Sequence, residues 1–390
     1  MRKLKILGII TSNSAVGFYR IYQPLKMLEK LGLAELKLTP NFNWGKTEGT
    51  KPFPDLKWFS TDDDTFYPDI IVAERHEAPQ YIALINGIAK GYGVPLVMDT
   101  DDDVHLVRPY NPGYMSYNPN SPNLPYNTKL MSMPQVSAIT VSTPQLKERH
   151  LEYGKPIYVV PNSIDLKTRS FPKKNHKGKI RIGWLGSACH YENLQIIRQA
   201  VADIVSNFPQ VEFIFTNLHN DIWANPPKEV INRMKPICQY FGCKEYHPYC
   251  QGSYVAFDKY AKFINRLNLD IGLAPLYDNA FNRAKSNLRI LEYWADKVAV
   301  VASPVREYRT TIKNGQNGLL AKERIDWYNS IKKLILDKDL RGKLQENGFK
   351  SLGINWSAEK QALKLYKVYK EIIKNHGRTS LSRIQKNSGI

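Results

Sequence analysis

The chain has 390 residues, 43% of them apolar, which is long for a single core and points to two domains. Seven Trp and 23 Tyr exclude a disordered chain, four cysteines exclude a disulfide framework, and no apolar run reaches the roughly eighteen residues of a membrane-spanning helix. A formal charge of +19, from 55 Lys and Arg against 36 Asp and Glu, favours an anionic partner: a bilayer surface, a nucleic acid or a polyanionic glycan.

Lys3 to Ile10 reads as a first buried strand. Its apolar core is too short for a signal peptide, so the expected location is cytoplasmic. Thr11 to Gly17 follows as a small polar loop and Phe18 to Leu31 as an amphipathic helix. Strand, glycine-containing loop and helix open a nucleotide-type fold, although no GxGxxG is present. Arg20 falls in the first helical turn, where a cation opposes the helix dipole, and this suggests an anion to be reached. The alternative is an exposed arginine. Phe42 to Tyr67 has no clear period and reads as a short strand and a loop.

Pro68 to Ala73 is the next strand, Tyr81 to Gly91 a helix, and Pro95 to Met98 a strand that runs into Asp99-Thr100-Asp101-Asp102-Asp103. Four carboxylates at one strand end need a counter-charge, water, a metal or a retained proton. A DxD pattern can hold a divalent cation on a diphosphate, and an acidic loop can equally cap the following segment. Asp99 and Asp101 are the candidates for a catalytic role. Arg108 to Tyr126, rich in Pro, Asn and Tyr, is a long loop, suited to stacking on a sugar or base or simply a surface loop.

Strand, helix and strand follow at Ile139–Ser142, Pro144–Tyr153 and Ile157–Val160, ending in PNSID at Pro161 to Asp165. Residues 167–179 are basic and aperiodic and read as a linker. Ile180 to Leu185 restarts the pattern, with Gly186 to His190 as its loop and Asn193 to Asn207 as its helix. Cys238, Cys243, His247 and Cys250 form a C-x4-C-x3-H-x2-C set that matches no common zinc finger, and no metal site is expected there.

The most informative stretch is Leu269 to Ser303: a strand at Asp270–Leu276, a loop at Tyr277–Ala284, a helix capped by Ser286, and a strand at Val298–Ala302. In open parallel sheets ligands bind at the carboxyl ends of strands, and a helix N-terminus there offers N–H groups to a phosphate. Lys285 adds a charge, and Glu292 is placed to accept from hydroxyls such as a ribose diol. The alternative is a solvated lysine and a glutamate that serves Arg289. Helices at 325–336 and 340–348 precede a long one at Ala358–Lys374 with Leu363, Tyr366, Tyr369 and Ile373 on one face, and then a polar, basic tail.

Taken together, these motifs resemble the GT-B glycosyltransferases, most closely the large retaining family (glycosyl transferases group 1) that includes sucrose synthase and bacterial mannosyltransferases. PNSID is similar to that family's PNGID, IRIGWLGSACHYENL to its phosphate loop, the Leu269–Ser303 stretch to its donor segment, NGQNGLL at Asn314–Leu320 to its NGxNGxL, and WSAEKQALKLYKVY to its terminal helix. With its Asp-rich loop the chain is also similar to glycosyltransferase-like proteins of phage genomes. The resemblance implies an α/β fold of two Rossmann-like domains facing across a cleft: an acceptor domain (1–166), the linker (167–179), a nucleotide-sugar domain (180–356), a crossover helix (357–376) returning to the first domain, and a basic tail (377–390).

The resemblance and the residues together point to a UDP- or GDP-sugar donor held by Gly17, Arg20, Gly186, Ser187, His190, Lys285, Ser286, Asn287, Leu288 and Glu292, with Asp99, Asp101 and Lys285 expected in catalysis. No metal is required in that family. The first glutamate of its E-x7-E is replaced by Ala284, and its donor-contacting histidine is missing near Asp99 and Asp101. The implied reaction is transfer, with retention, of a sugar to a hydroxyl of an envelope glycan or lipid-linked acceptor by a protein peripheral to the membrane. The competing expectations are transfer to hydroxylated bases of DNA and a nucleotide-sugar-binding protein without turnover.

Overall fold

The computed structural model describes residues 2–10, 15–40, 66–75, 79–109, 111, 114–118, 120, 131–169, 178–186, 190–215 and 257–387. The chain divides into two compact units. The first holds residues 1–105, 119–165 and 357–390, the second 106–118 and 166–356.

The first unit is built on strands β1 (Leu4–Ile10), β2 (Ala34–Pro40), β3 (Ile70–Glu74), β4 (Leu96–Thr100), β5 (Val136–Val141) and β6 (Ile157–Val159). They form one parallel sheet in the order β2-β1-β3-β4-β5-β6. β3 and β4 are buried along their whole length, as the apolar runs of parallel strands covered on both faces require. β2 was not anticipated: AELKLTP interleaves polar residues because it lies at the sheet edge. The predicted first helix begins as a π-type turn at Gly17–Tyr22 before becoming α1 (Gln23–Lys30), so Gly17 sits inside a helical turn and not in a loop. Helices α2 (Pro79–Tyr92) and α3 (Pro144–His150) complete the crossovers, and the Thr143 hydroxyl caps α3 by accepting from the Leu146 N–H at 3.1 Å.

The second unit contains β7 (Ile180–Trp184), α4 (Tyr191–Asn207), β8 (Val211–Phe215), α5 (Phe257–Leu267), β9 (Ile271–Ala274), α6 (Ala280–Ala284), α7 (Leu288–Ala295), β10 (Ala299–Ala302), α8 (Arg306–Thr311), β11 (Leu319–Leu320), α9 (Arg324–Leu336) and α10 (Lys338–Trp356). Its sheet is also parallel, in the order β11-β10-β9-β7-β8. The core on one side packs Trp184, Leu194, Ile197 and Phe215 with Trp327, Ile331 and Leu344. The predicted linker starts inside this unit. Arg169 is buried and pairs with Asp296 at 3.1 Å, so the basic run opens on a structural arginine. Asp296 is pushed above the usual carboxylate range by burial, and Arg169 opposes that shift.

The last helix, α11 (Ala358–Asn387), belongs to the first unit and packs along α1. It starts where the Ala358 N–H donates to the Ile164 carbonyl at 3.0 Å. Two expectations are corrected here. The predicted loose tail is helical as far as Asn387. The buried face is Ala358, Ala362, Leu365, Tyr369 and Ile372, whereas Leu363 is 48% exposed. Two alanines on the packed side let the helices approach closely, and a search for large apolar residues overlooks them. No described helix is long and apolar enough to cross a membrane.

Candidate functional site

In the first unit the strand order reverses between β1 and β3. Arg20 sits beside this point and is almost fully buried. Its Nε and Nη2 donate to the two oxygens of Asp99, each at 2.8 Å. Its Nη1 donates to the Val160 carbonyl at 2.6 Å and to Asn162 Oδ1 at 3.0 Å. Thr140 Oγ1 also donates to Asp99, at 2.6 Å. Burial alone would lower the Arg20 pKa, but the charge of Asp99 and its hydrogen bonds raise it, so the guanidinium stays charged.

The anion that the sequence position of Arg20 called for is therefore internal. Arg20 clasps β4 to the PNSID segment, and Gln23 continues the clasp by donating to the Ser163 carbonyl at 2.8 Å. In this arrangement Arg20 and Asp99 are each other's charge partners. Asp103 is likewise taken, accepting from Arg149 Nε at 2.8 Å. Asp99 and Asp103 of the acidic run are thus each held by a different arginine. Asp101 is half-buried at the end of β4, and its carbonyl accepts from Ser142 Oγ at 3.3 Å.

In the second unit the order reverses between β7 and β9, so their carboxyl ends frame the crevice expected of such sheets. Gly186 ends the described part of the β7 loop, and a Cβ there would lie 2.3 Å from the Trp184 ring. Glycine is needed for Trp184 to fold under the loop. Tyr293, fully buried on α7, places its hydroxyl 3.2 and 3.0 Å from the carbonyl oxygens of Gly183 and Leu273 and accepts from the Leu185 N–H at 3.1 Å. One phenol therefore pins the ends of both strands.

The β9 loop is held by Asn193, on the first turn of α4. Its Oδ1 accepts from the Tyr277 N–H at 2.8 Å and from Asn282 Nδ2 at 2.9 Å. Its amide lies 3.0 Å from His190 Nδ1, which fixes that nitrogen as the acceptor and the proton on Nε2. The loop contains the short helix α6, capped by Asn279 accepting from the Asn282 N–H at 2.9 Å, where the sequence suggested only irregular chain. Asn287, not Ser286, is the N-cap of α7, and its side chain donates to Thr311 Oγ1 at 2.9 Å instead of capping the helix. Ser286 Oγ is 3.4 Å from the Leu288 N–H. Neither the Asn287 side chain nor that of His190 caps its helix, and the starts of α7 and α4 carry partial positive charge.

Further charged and polar groups lie close by. Lys285 places its ammonium 4.4 Å over the Phe281 ring. Arg289 donates to Glu292 Oε2 at 2.6 Å and lies 3.4 Å from the Tyr260 hydroxyl. His190 is pushed well below its ordinary pKa by burial and by the charges of Lys285 and Arg289, so its ring is neutral. Burial raises the Tyr308 phenol to about 12, against the pull of Arg289 and Lys285 and with the push of Glu292, which puts Tyr308 in the same group. Glu292 is 3% exposed at its side chain and Arg289 20%.

The structure thus brings together Gly186, His190, Lys285, Ser286, Asn287, Leu288 and Glu292, and leaves Gly17, Arg20, Asp99 and Asp101 in the other unit. Ser187 and the Cys238–Cys250 set lie outside the described residues. Asn193, Tyr260 and Tyr308 were not anticipated. Lys285, Arg289 and two helix N-termini thus lie near one buried carboxylate, Glu292. This arrangement suits an anion joined to a hydroxyl-bearing group.

No protein-family model and no curated protein matches the sequence. Solved structures do. Sucrose-phosphate synthase from Thermosynechococcus elongatus matches with a TM-score of 0.65 at 12% identity, covering 96% of this chain and 100% of that one. The fold is that of the GT-B glycosyltransferases. Anabaena HepE, solved with UDP and glucose, matches at TM-score 0.62 and 13% identity over 94% of this chain and 100% of that one. A glycosyltransferase from Rickettsia africae matches at 0.62 and 17% identity over 96% and 100%.

Proposed function

We propose that the chain is a glycosyltransferase that takes a sugar from a nucleotide-diphosphate donor bound at the β7–β9 switch point of the second unit. The observation that carries this reading is the convergence of Lys285, Arg289 and the starts of α4 and α7 beside the buried Glu292. The GT-B fold supports it, and so does a neighbour of that fold that binds UDP and glucose. Departure of a diphosphate builds negative charge on its oxygens, and fixed N–H groups and cations in a partly dry site stabilise that charge. Lys285 and the α7 N-terminus serve the diphosphate, and Glu292 accepts from the ribose diol. Neutral His190 presents Nε2–H as a donor without adding charge. Asp101 is retained as the acceptor-side carboxylate, since Asp99 is spent on Arg20. The donor chemistry requires no metal in this reading.

The acceptor is a hydroxyl of an envelope glycan or lipid-linked glycan, and transfer proceeds with retention, the acceptor attacking on the face from which the diphosphate leaves. The net charge of +19 supports an anionic acceptor or surface. A thermal-shift screen against UDP-, GDP-, ADP- and CMP-sugars tests the donor, and one class should stabilise the protein. No shift with any of them would remove the proposal. Ala284, standing where the resemblance expects a glutamate, favours one competing reading, a sugar-nucleotide-binding protein without turnover. Donor binding with neither transfer nor slow hydrolysis would establish it, and transfer to a hydroxylated base of DNA would move the acceptor to nucleic acid.

A further inference from the structure

A row of lysines lies outside the donor site, on α11 of the first unit. Lys360, Lys364, Lys367, Lys370 and Lys374 are all exposed. Successive members are three or four residues apart, so each lysine neighbours the next on the helix surface. At 3.6 residues per turn, four of the five fall within about 80° of arc, and the row runs for about 21 Å.

Like charges at these spacings destabilise a helix, and a helix selected only for solubility would alternate them with glutamates. Here the row contains a single acid, Glu371, and its Oε1 accepts from the Tyr158 hydroxyl at 2.9 Å. Lys364, Lys367, Lys370 and Lys374 form no ion pair with any described carboxylate. Leu363, 48% exposed, stands among the lysines.

We infer that this α11 lysine row is a docking surface for an anionic phospholipid bilayer. The inference rests on the lipid-linked form of the acceptor proposed above and assigns the membrane contact to one helix face. A straight row of ammonium groups meets a plane of lipid phosphates along its whole length. The exposed leucine in its midst gains from entering the headgroup region, and it gains nothing against the phosphates of a duplex. Every cation in the row is a lysine, and none is an arginine with the planar fork suited to bidentate phosphate recognition.

The test uses the full chain in co-sedimentation with vesicles of phosphatidylcholine alone and of phosphatidylcholine mixed equally with phosphatidylglycerol. Wild type should bind only the anionic vesicles and release them at high salt. Each lysine contributes about a fivefold gain near such a surface, so the triple variant K364E/K367E/K374E should lose about a hundredfold or more in binding. The control is K332E/K333E/K343E, on exposed positions of α9 and α10 in the second unit, which changes net charge equally and should bind nearly as wild type. K364Q/K367Q/K374Q serves if the reversal fails to fold, and each variant is checked by circular dichroism. Equal loss in both triples would reduce the effect to bulk charge and overturn the assignment, as would no loss in either or no binding by wild type. Tighter, α11-dependent retention by duplex DNA than by anionic vesicles would overturn it in favour of nucleic acid. The nucleotide-sugar thermal shift, read on the same samples, reports on the second unit separately, so failure of the donor reading is distinguishable from failure of this one.

Discussion

Each unit has a buried carboxylate paired with an arginine near its topological switch point, and the two pairs are used differently. In the first unit, Arg20 and Asp99 are 3% and 4% exposed at their side chains and meet through two hydrogen bonds. Nη1 of Arg20 reaches the Val160 carbonyl and, within the PNSID segment, Asn162. Charge there is balanced and sealed. In the second unit, Arg289 is 20% exposed and meets Glu292 through one contact within a single helix. Lys285 and two helix N-termini stand beside it. The pair there is only partly covered. A sealed pair contributes geometry, whereas a partly exposed pair with a lysine and helix N-termini nearby can still recruit an anion.

The largest expected effect is on the sealed pair. Arg20→Met leaves Asp99 buried without a counter-charge and should cost about 3–5 kcal/mol of stability, read as a fall in urea midpoint or Tm. Arg20→Met with Asp99→Leu should recover much of that loss. An Arg20→Met protein as stable as wild type would contradict the clasp. Next is the unsealed pair. Glu292→Ala should weaken UDP-sugar binding by about 1–3 kcal/mol through lost charged hydrogen bonds. The ligand dissected by parts sharpens this, because uridine affinity should fall while inorganic pyrophosphate affinity holds or rises, Arg289 being released. Loss of pyrophosphate binding with uridine unchanged would reverse the assigned roles.

Strands β1, β3, β9 and β10 were legible because doubly covered parallel strands are continuous apolar runs. β2 was not, because its edge position lets Glu35 and Lys37 alternate with the apolar residues. The donor-side loop was legible in Gly186, Lys285 and Glu292, each within a local pattern. What holds that loop was not: Asn193 bonds to Tyr277 and Asn282, 84 and 89 residues away, and no local period encodes such contacts. The same limit explains Arg20. Its place against the helix dipole showed that an anion was needed, but that anion is Asp99, 79 residues later. The aspartate run looked like one cluster in sequence. In the fold, Asp99 still lies within β4 and pairs with Arg20, whereas Asp103 lies beyond the end of that strand and turns to Arg149.

Two smaller effects test whether the cations near Glu292 in the second unit act on ligand and not on folding. Lys285→Ala should lower UDP affinity by about 1 kcal/mol or less at moderate salt, with uridine affinity unchanged and the unliganded Tm nearly that of wild type. An equal loss for uridine would place Lys285 elsewhere than on the diphosphate.

The smallest effect is in the pH dependence of His190. Burial and the charges of Lys285 and Arg289 hold its folded-state pKa well below the ordinary value of 6.5. Below pH 6.5 the unfolded chain therefore takes up a proton that the folded one refuses, and stability must fall as pH drops. His150 in the first unit is lowered mainly by burial and contributes in the same direction. His190→Asn removes only the second unit's share, so the fall in Tm between pH 8 and pH 5 should become shallower without vanishing. A bound diphosphate offsets Lys285 and Arg289 and should reduce the wild-type slope but leave the variant's slope almost unaltered. If UDP flattens both equally, the anion does not sit beside His190, and the cations at this switch point serve something other than the donor.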